Sequence, residues 1–154
     1  MPPIPEILLV EDRKDDRDLF AAAVAASGLR VKVATASDSA EAVVRLNRIG
    51  RYKDAALPAL IVLDLHLPGL NGQTLLQVIR TAYRSRKVPV VILTGSLSPA
   101  DRAACEKLGI SDFAVKPQSF PELREFVASL RRFLPGEEPT PRTSRMAKLP
   151  EEMR

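Results

Sequence analysis

Apolar positions along this chain follow two alternating rhythms. Ile7-Leu8-Leu9-Val10, Ala59-Leu60-Ile61-Val62-Leu63 and Val90-Val91-Ile92-Leu93 are unbroken apolar runs, as expected of strands covered on both faces. Val31-Lys32-Val33-Ala34 alternates and suits a strand nearer a sheet edge, and Asp112-Phe113-Ala114-Val115 is a short fifth. Helical spacing fills the intervals. Leu19, Phe20, Ala23 and Val24 precede a stop at Gly28, and Ala40, Val43, Val44 and Leu46 precede one at Gly50. Leu75, Leu76, Val78 and Ile79 mark a third helix whose last turns carry Arg80, Arg84, Arg86 and Lys87, charges that suit the helix dipole. Ser98-Pro99 opens a fourth helix that Gly109 closes. Ser119 with Glu122 opens the last, which buries Leu123, Phe126, Val127 and Leu130, as Ser37-Asp38 with Glu41 opens the second. The pattern is βα repeated five times with short loops. It predicts an α/β doubly wound sheet of five parallel strands, order 2-1-3-4-5, with five helices on its two faces.

Composition narrows the functional classes. With 154 residues, 45% hydrophobic and 27% charged, the chain reads as one globular domain over residues 6–134. Residues 1–5 form an N-terminal extension, and residues 135–154, with little to bury, a flexible C-terminal tail. The net charge is +4, but the basic residues are scattered and aromatics make up only 5%, which argues against a nucleic-acid partner. Arg45, Arg48, Arg51, Arg84, Arg86 and Lys87 read as a solvated face. Cys105 is the single cysteine and His66 the single histidine, so an internal disulfide and a zinc cluster are excluded. No secretory leader and no apolar run of membrane-spanning length are present, so no membrane contact and a cytoplasmic location are expected.

The chemistry concentrates where the strands end. Asp64 follows the third strand directly, Glu11-Asp12 follow the first, and in the predicted order these strands are neighbours at the switch point where such sheets bind ligands. Thr94 and Lys116 arrive from the fourth and fifth strands. Three carboxylates in one crevice repel unless a cation sits among them, and an all-oxygen pocket suits a hard ion, Mg²⁺ first. A bound cation, with the Lys116 ammonium and the Thr94 hydroxyl, would let an anionic phosphoryl group approach Asp64 as nucleophile.

With Pro68 and Gly72 in the loop after Asp64, Thr94-Gly95, and Lys116-Pro117, the chain resembles the receiver domain of two-component response regulators over about residues 6–134. That resemblance implies a flavodoxin-like fold and a signalling protein rather than an enzyme, one that catalyses only its own phosphorylation and dephosphorylation. It implies Asp64 as phosphoacceptor, with Lys116 and Thr94 assisting. It also implies Mg²⁺ held by Asp12, Asp64 and the backbone carbonyl of His66, with Glu11 acting directly or through water. Phe113 becomes a switch aromatic partnered with Thr94, and Pro117 a structural residue after a cis bond. The implied donor is a sensor histidine kinase or a phosphotransfer protein. A downstream protein target, or a homodimer through the fourth helix, fifth strand and fifth helix, would receive the signal. No output domain follows Leu134 in this sequence, which resembles the single-domain regulators, including those paired with phytochrome-type kinases. Glu11 is one methylene longer than the aspartate common at its place, and His66 replaces a small polar or hydrophobic residue. A cofactor carrier of the same fold would need phosphate donors after the first strand, where EDRKDD presents carboxylates. A dehalogenase-type phosphatase would need a second aspartate where His66 stands. A phosphorylation-independent interaction module is the third alternative.

Overall fold

The computed structural model describes residues 3–96 and 98–136, so most of the expected tail lies outside the described residues. The strands are β1 (Glu6–Val10), β2 (Lys32–Ala36), β3 (Leu60–Leu63), β4 (Val90–Thr94) and β5 (Asp112–Val115). The helices are α1 (Lys14–Ser27), α2 (Ser39–Leu46), α3 (Gly72–Thr81), α4 (Pro99–Leu108) and α5 (Phe120–Ser129). All strand pairs are parallel and the order is β2-β1-β3-β4-β5, the flavodoxin-like arrangement.

Alternation along each strand splits the core in two. Leu8, Val10, Ile61, Leu63 and Ile92 face Leu75, Leu76 and Ile79 of α3 with Ala42 and Cys105. Ile7, Leu9, Leu60, Val62 and Val91 face Phe20, Ala23 and Val24 of α1 with Val127 and Leu130. Each such fully buried large side chain stabilises the fold by roughly 1.5–3 kcal/mol. Both predicted caps form, each with its glutamate reaching back to the residue before the cap. Asp38 accepts from the Glu41 N–H at 2.8 Å while Glu41 accepts from the Ser37 N–H at 2.8 Å. Ser119 accepts from the Glu122 N–H at 3.3 Å while Glu122 accepts from the Gln118 N–H at 3.3 Å.

Several boundaries differ from expectation. β2 runs to Ala36 because Leu9 and Val10 pair with Thr35 and Ala36 and the Glu11 N–H bonds the Ala36 carbonyl, so pairing with β1 overrides the local pattern. α2 stops at Leu46, before Arg48 turns to φ 57° and a 3₁₀ turn forms over Gly50–Tyr52. The Asp38 cap sets the helix phase so that Ala42 is buried and Ala40 exposed. Leu19 is exposed on α1. α3 ends at Thr81, where Ala82 becomes extended, so Arg84, Arg86 and Lys87 lie beyond the helix. Arg45 is no part of a solvated face: it pairs with Glu6 at 3.3 Å, both side chains being largely buried.

Candidate phosphoryl-acceptor site

Backbone register delivers the site. Val10 pairs with Leu63, and the Asp64 N–H continues that ladder to the Val10 carbonyl at 3.1 Å, so the residues just beyond, Glu11 and Asp64, face each other across the crevice. Thr94 is the last residue of β4, and the Lys116 N–H bonds its carbonyl at 2.7 Å. Strand ends from β1, β3, β4 and β5 thus converge at one rim of the sheet.

Asp64 is 5% exposed and both its oxygens are engaged. Oδ1 accepts from the Thr94 hydroxyl at 2.9 Å and from the His66 N–H at 3.0 Å, while Oδ2 lies 3.1 Å from the Lys116 ammonium. The Thr94 hydroxyl thus already faces the carboxylate it is expected to assist. Glu11 Oε1 lies 2.7 Å from Lys116 and Oε2 accepts from the Arg13 N–H at 3.1 Å. Burial pushes the Glu11 carboxyl above its ordinary value, against the bonds from Lys116 and Arg13 that favour the carboxylate. For Lys116 burial works the other way, yet bonds to Asp16, Glu11 and Asp64 outweigh it and hold the ammonium well above the ordinary lysine range.

The fit to a metal rests on Glu11, Asp12 and Asp64, whose carboxylates each offer an oxygen within 4.8 Å of the others. Such an all-oxygen acidic set suits a hard dication. Asp12 is exposed and makes no side-chain hydrogen bond or ion pair among the described residues, which leaves it available as a ligand, whereas the longer Glu11 is turned to Lys116 and Arg13.

The loop after Asp64 is shaped by Gly72. A Cβ there would stand 2.5 Å from Leu65 Cα and 2.7 Å from the Asp64 carbonyl oxygen, so only glycine permits α3 to start against the acid. Asn71 caps that helix, accepting from the Thr74 N–H at 3.0 Å. The His66 ring reaches across to the β4–α4 loop, its Nε2 3.2 Å from the Ser96 carbonyl oxygen. Phe113 is half-buried against the α3 side of the core, and the Arg102 guanidinium covers its ring at 3.6 Å. Pro117 follows Lys116 through a trans bond, since no cis peptide bond occurs among the described residues. The expected cis form is thereby corrected: trans is the lower-energy isomer of an X–Pro bond, and Lys116 reaches all its carboxylates with it.

One site residue lies outside the set read from the strand ends. Asp16, in the first turn of α1, accepts from the Lys116 ammonium at 2.8 Å. Its signal in the sequence is its place in the first turn of the helix that follows the Glu11-Asp12 strand end. Cys105 is fully buried, and burial pushes its thiol up, as befits an inert core residue.

Comparison with known proteins agrees with this geometry. The response regulator receiver domain, as a family, matches residues 7–128. The response regulator Rcp1 of Synechocystis sp. is 31% identical over 127 residues, 82% of this chain and 86% of that protein. The crystal structure of the phosphorylated cyanobacterial phytochrome response regulator RcpA superposes with a TM-score of 0.81 at 31% identity, covering 89% of this chain and 98% of that one. The Mn²⁺-bound form of Rcp1 gives 0.77 at 30% identity, covering 86% and 96%. With its strand order, its acidic crevice and these relatives in agreement, the chain belongs to the response regulator receiver family.

Proposed function

We propose that Asp64 accepts a phosphoryl group from the phosphohistidine of a sensor histidine kinase or a phosphotransfer protein. The observation that carries this reading is the convergence of the Thr94 hydroxyl and the Lys116 ammonium on the two oxygens of one buried carboxylate. An Asp64 oxygen attacks phosphorus, the P–N bond to the imidazole breaks, and the leaving imidazole nitrogen takes up a proton. Lys116 and Thr94, which already flank the Asp64 carboxylate, then donate to the phosphoryl oxygens. Asp12, Asp64 and the His66 carbonyl, with Glu11 directly or through water, would hold Mg²⁺. Bound there, the ion supplies the positive charge that lets a dianionic group approach three carboxylates.

Phe113, paired with Ile92 two residues before Thr94, is the residue through which phosphorylation at Asp64 reaches the α4-β5-α5 face, where Val115 and Phe120 are exposed for a protein target or a second copy. Mass measurement after incubation with acetyl phosphate and Mg²⁺ tests the reading: one phosphate should be added, stable to acid and labile to alkali. Equal labelling of Asp64→Asn would refute it. Mg²⁺ titration by isothermal calorimetry should show weaker binding for Asp12→Asn, and unchanged affinity would remove Asp12 from the ligand set.

A further inference from the structure

The Lys116 ammonium has three protons and lies against three carboxylates, Glu11 at 2.7 Å, Asp16 at 2.8 Å and Asp64 at 3.1 Å, with Asp16 accepting a hydrogen bond from it. Asp64 is the most distant of the three. A phosphoryl oxygen on Asp64 therefore draws Lys116 closer only against the pull of the two nearer carboxylates. Glu11 is poorly placed to release it, being 3% exposed and tied to the Arg13 N–H. Asp16 is better placed. It stands at the rim with its side chain 28% exposed, and it has a second cation at hand, Arg13 Nε at 3.3 Å.

We infer that Asp16 is a positioning residue for phosphoryl acceptance, holding Lys116 toward α1 in the resting site and yielding it to the phosphoryl group as Asp16 passes to Arg13. The inference rests on the phosphoacceptor reading above. Two effects act with the same sign. The Asp16 carboxylate competes for Lys116 through a charge-assisted hydrogen bond, and its negative charge opposes an incoming anion. Asparagine at this place keeps an acceptor of the same shape but removes the charge. Arg13 acts in the opposite sense, because its guanidinium gives the displaced carboxylate somewhere to go.

Beryllofluoride with Mg²⁺ is the probe, titrated into the parent, Asp16→Asn, Asp16→Glu, Arg13→Gln and the double variant Asp16→Asn/Arg13→Gln. Asp16→Asn should bind roughly fivefold more tightly, the factor that separates a charge-assisted from a neutral hydrogen bond. Asp16→Glu, which restores the charge, should return toward the parent. Arg13→Gln changes an exposed side chain and leaves its backbone bond to Glu11 in place, so it provides an arm that does not depend on the folding of the Asp16 variants. It should bind more weakly than the parent, by about twofold, and the effect should vanish in the double variant. Such coupling between two surface residues is not what a purely structural Asp16 would produce. Unchanged or weaker binding by folded Asp16→Asn, or unchanged or tighter binding by Arg13→Gln, overturns the inference. A parent that binds no beryllofluoride at Asp64 overturns the phosphoacceptor reading instead, so the two failures are distinct.

Discussion

The two ends of the sheet use charge in opposite ways. At the carboxyl end, Glu11, Asp16 and Asp64 crowd around a single ammonium, and Asp12 stands free beside them. At the amino end, apart from the Arg45–Glu6 pair, arginines bond to backbone. Arg80 donates to the carbonyls of Gly109 and Val88 at 2.7 Å each, Arg84 to that of Leu46 at 2.7 Å, and Arg48 to that of Ala55 at 3.0 Å. The arginines there complete connections whose carbonyls lack strand partners, a structural use of charge. The carboxylates at the other end exceed what one lysine can neutralise, and that excess charge is what a cation and a phosphoryl group can exploit. Charge that is satisfied stabilises; charge left in surplus marks the site.

The sharpest way to break this contrast is to remove the cation from the acidic end. Lys116→Met should destabilise the metal-free protein by about 3 kcal/mol, because it leaves the buried carboxylates of Glu11 and Asp64 without their cation. Mg²⁺ should restore part of that loss in urea melts, and a variant as stable as the parent without metal would show that the acids were never in surplus. Gly72→Ala comes next. A Cβ driven against the backbone of Asp64 and Leu65 should cost about 2.5 kcal/mol and lower phosphoryl acceptance along with stability, measured by melts and labelling.

At the amino end, Arg80→Met should cost about 2 kcal/mol by stripping the carbonyls of Arg86, Val88 and Gly109 of a charged donor. Labelling of Asp64 by acetyl phosphate should be unchanged in that variant, and a parallel fall would mean that the two ends are not independent. The smallest effect is a pH dependence. Burial alone would raise the Glu41 carboxyl, but bonds from Ser37 and Tyr52, with Arg51 nearby, hold it below its ordinary value. A carboxyl whose pKa is lower in the folded chain adds stability above its unfolded value and loses it as pH falls through the folded one. Glu41→Gln should therefore flatten the loss of stability below about pH 4.5. An unaltered slope would assign that loss to other carboxyls.

Much of this was open to a reading of residues in order. Unbroken apolar runs ending on Val10, Leu63 and Leu93 announce buried parallel strands, because a strand covered on both faces cannot alternate. Right-handed crossovers with helices on both faces make 2-1-3-4-5 the common order for five βα units, and it places Glu11, Asp12, Asp64, Thr94 and Lys116 at one rim. Caps at Asp38, Ser98 and Ser119 were legible for the same local reason: their side chains answer N–H groups three residues on.

Tertiary structure decided whatever depends on partners distant in the chain. β2 extends to Ala36 through pairing with β1, and Arg45 leaves solvent to meet Glu6, 39 residues away. Arg102 settles over Phe113, and Asp16 meets Lys116 a hundred residues on. Spacing along a chain fixes which face of a helix or strand a residue occupies. Which side chain answers it across a crevice is set only when two elements pack, because a hydrogen bond tolerates a few tenths of an ångström and sequence periodicity carries no such precision.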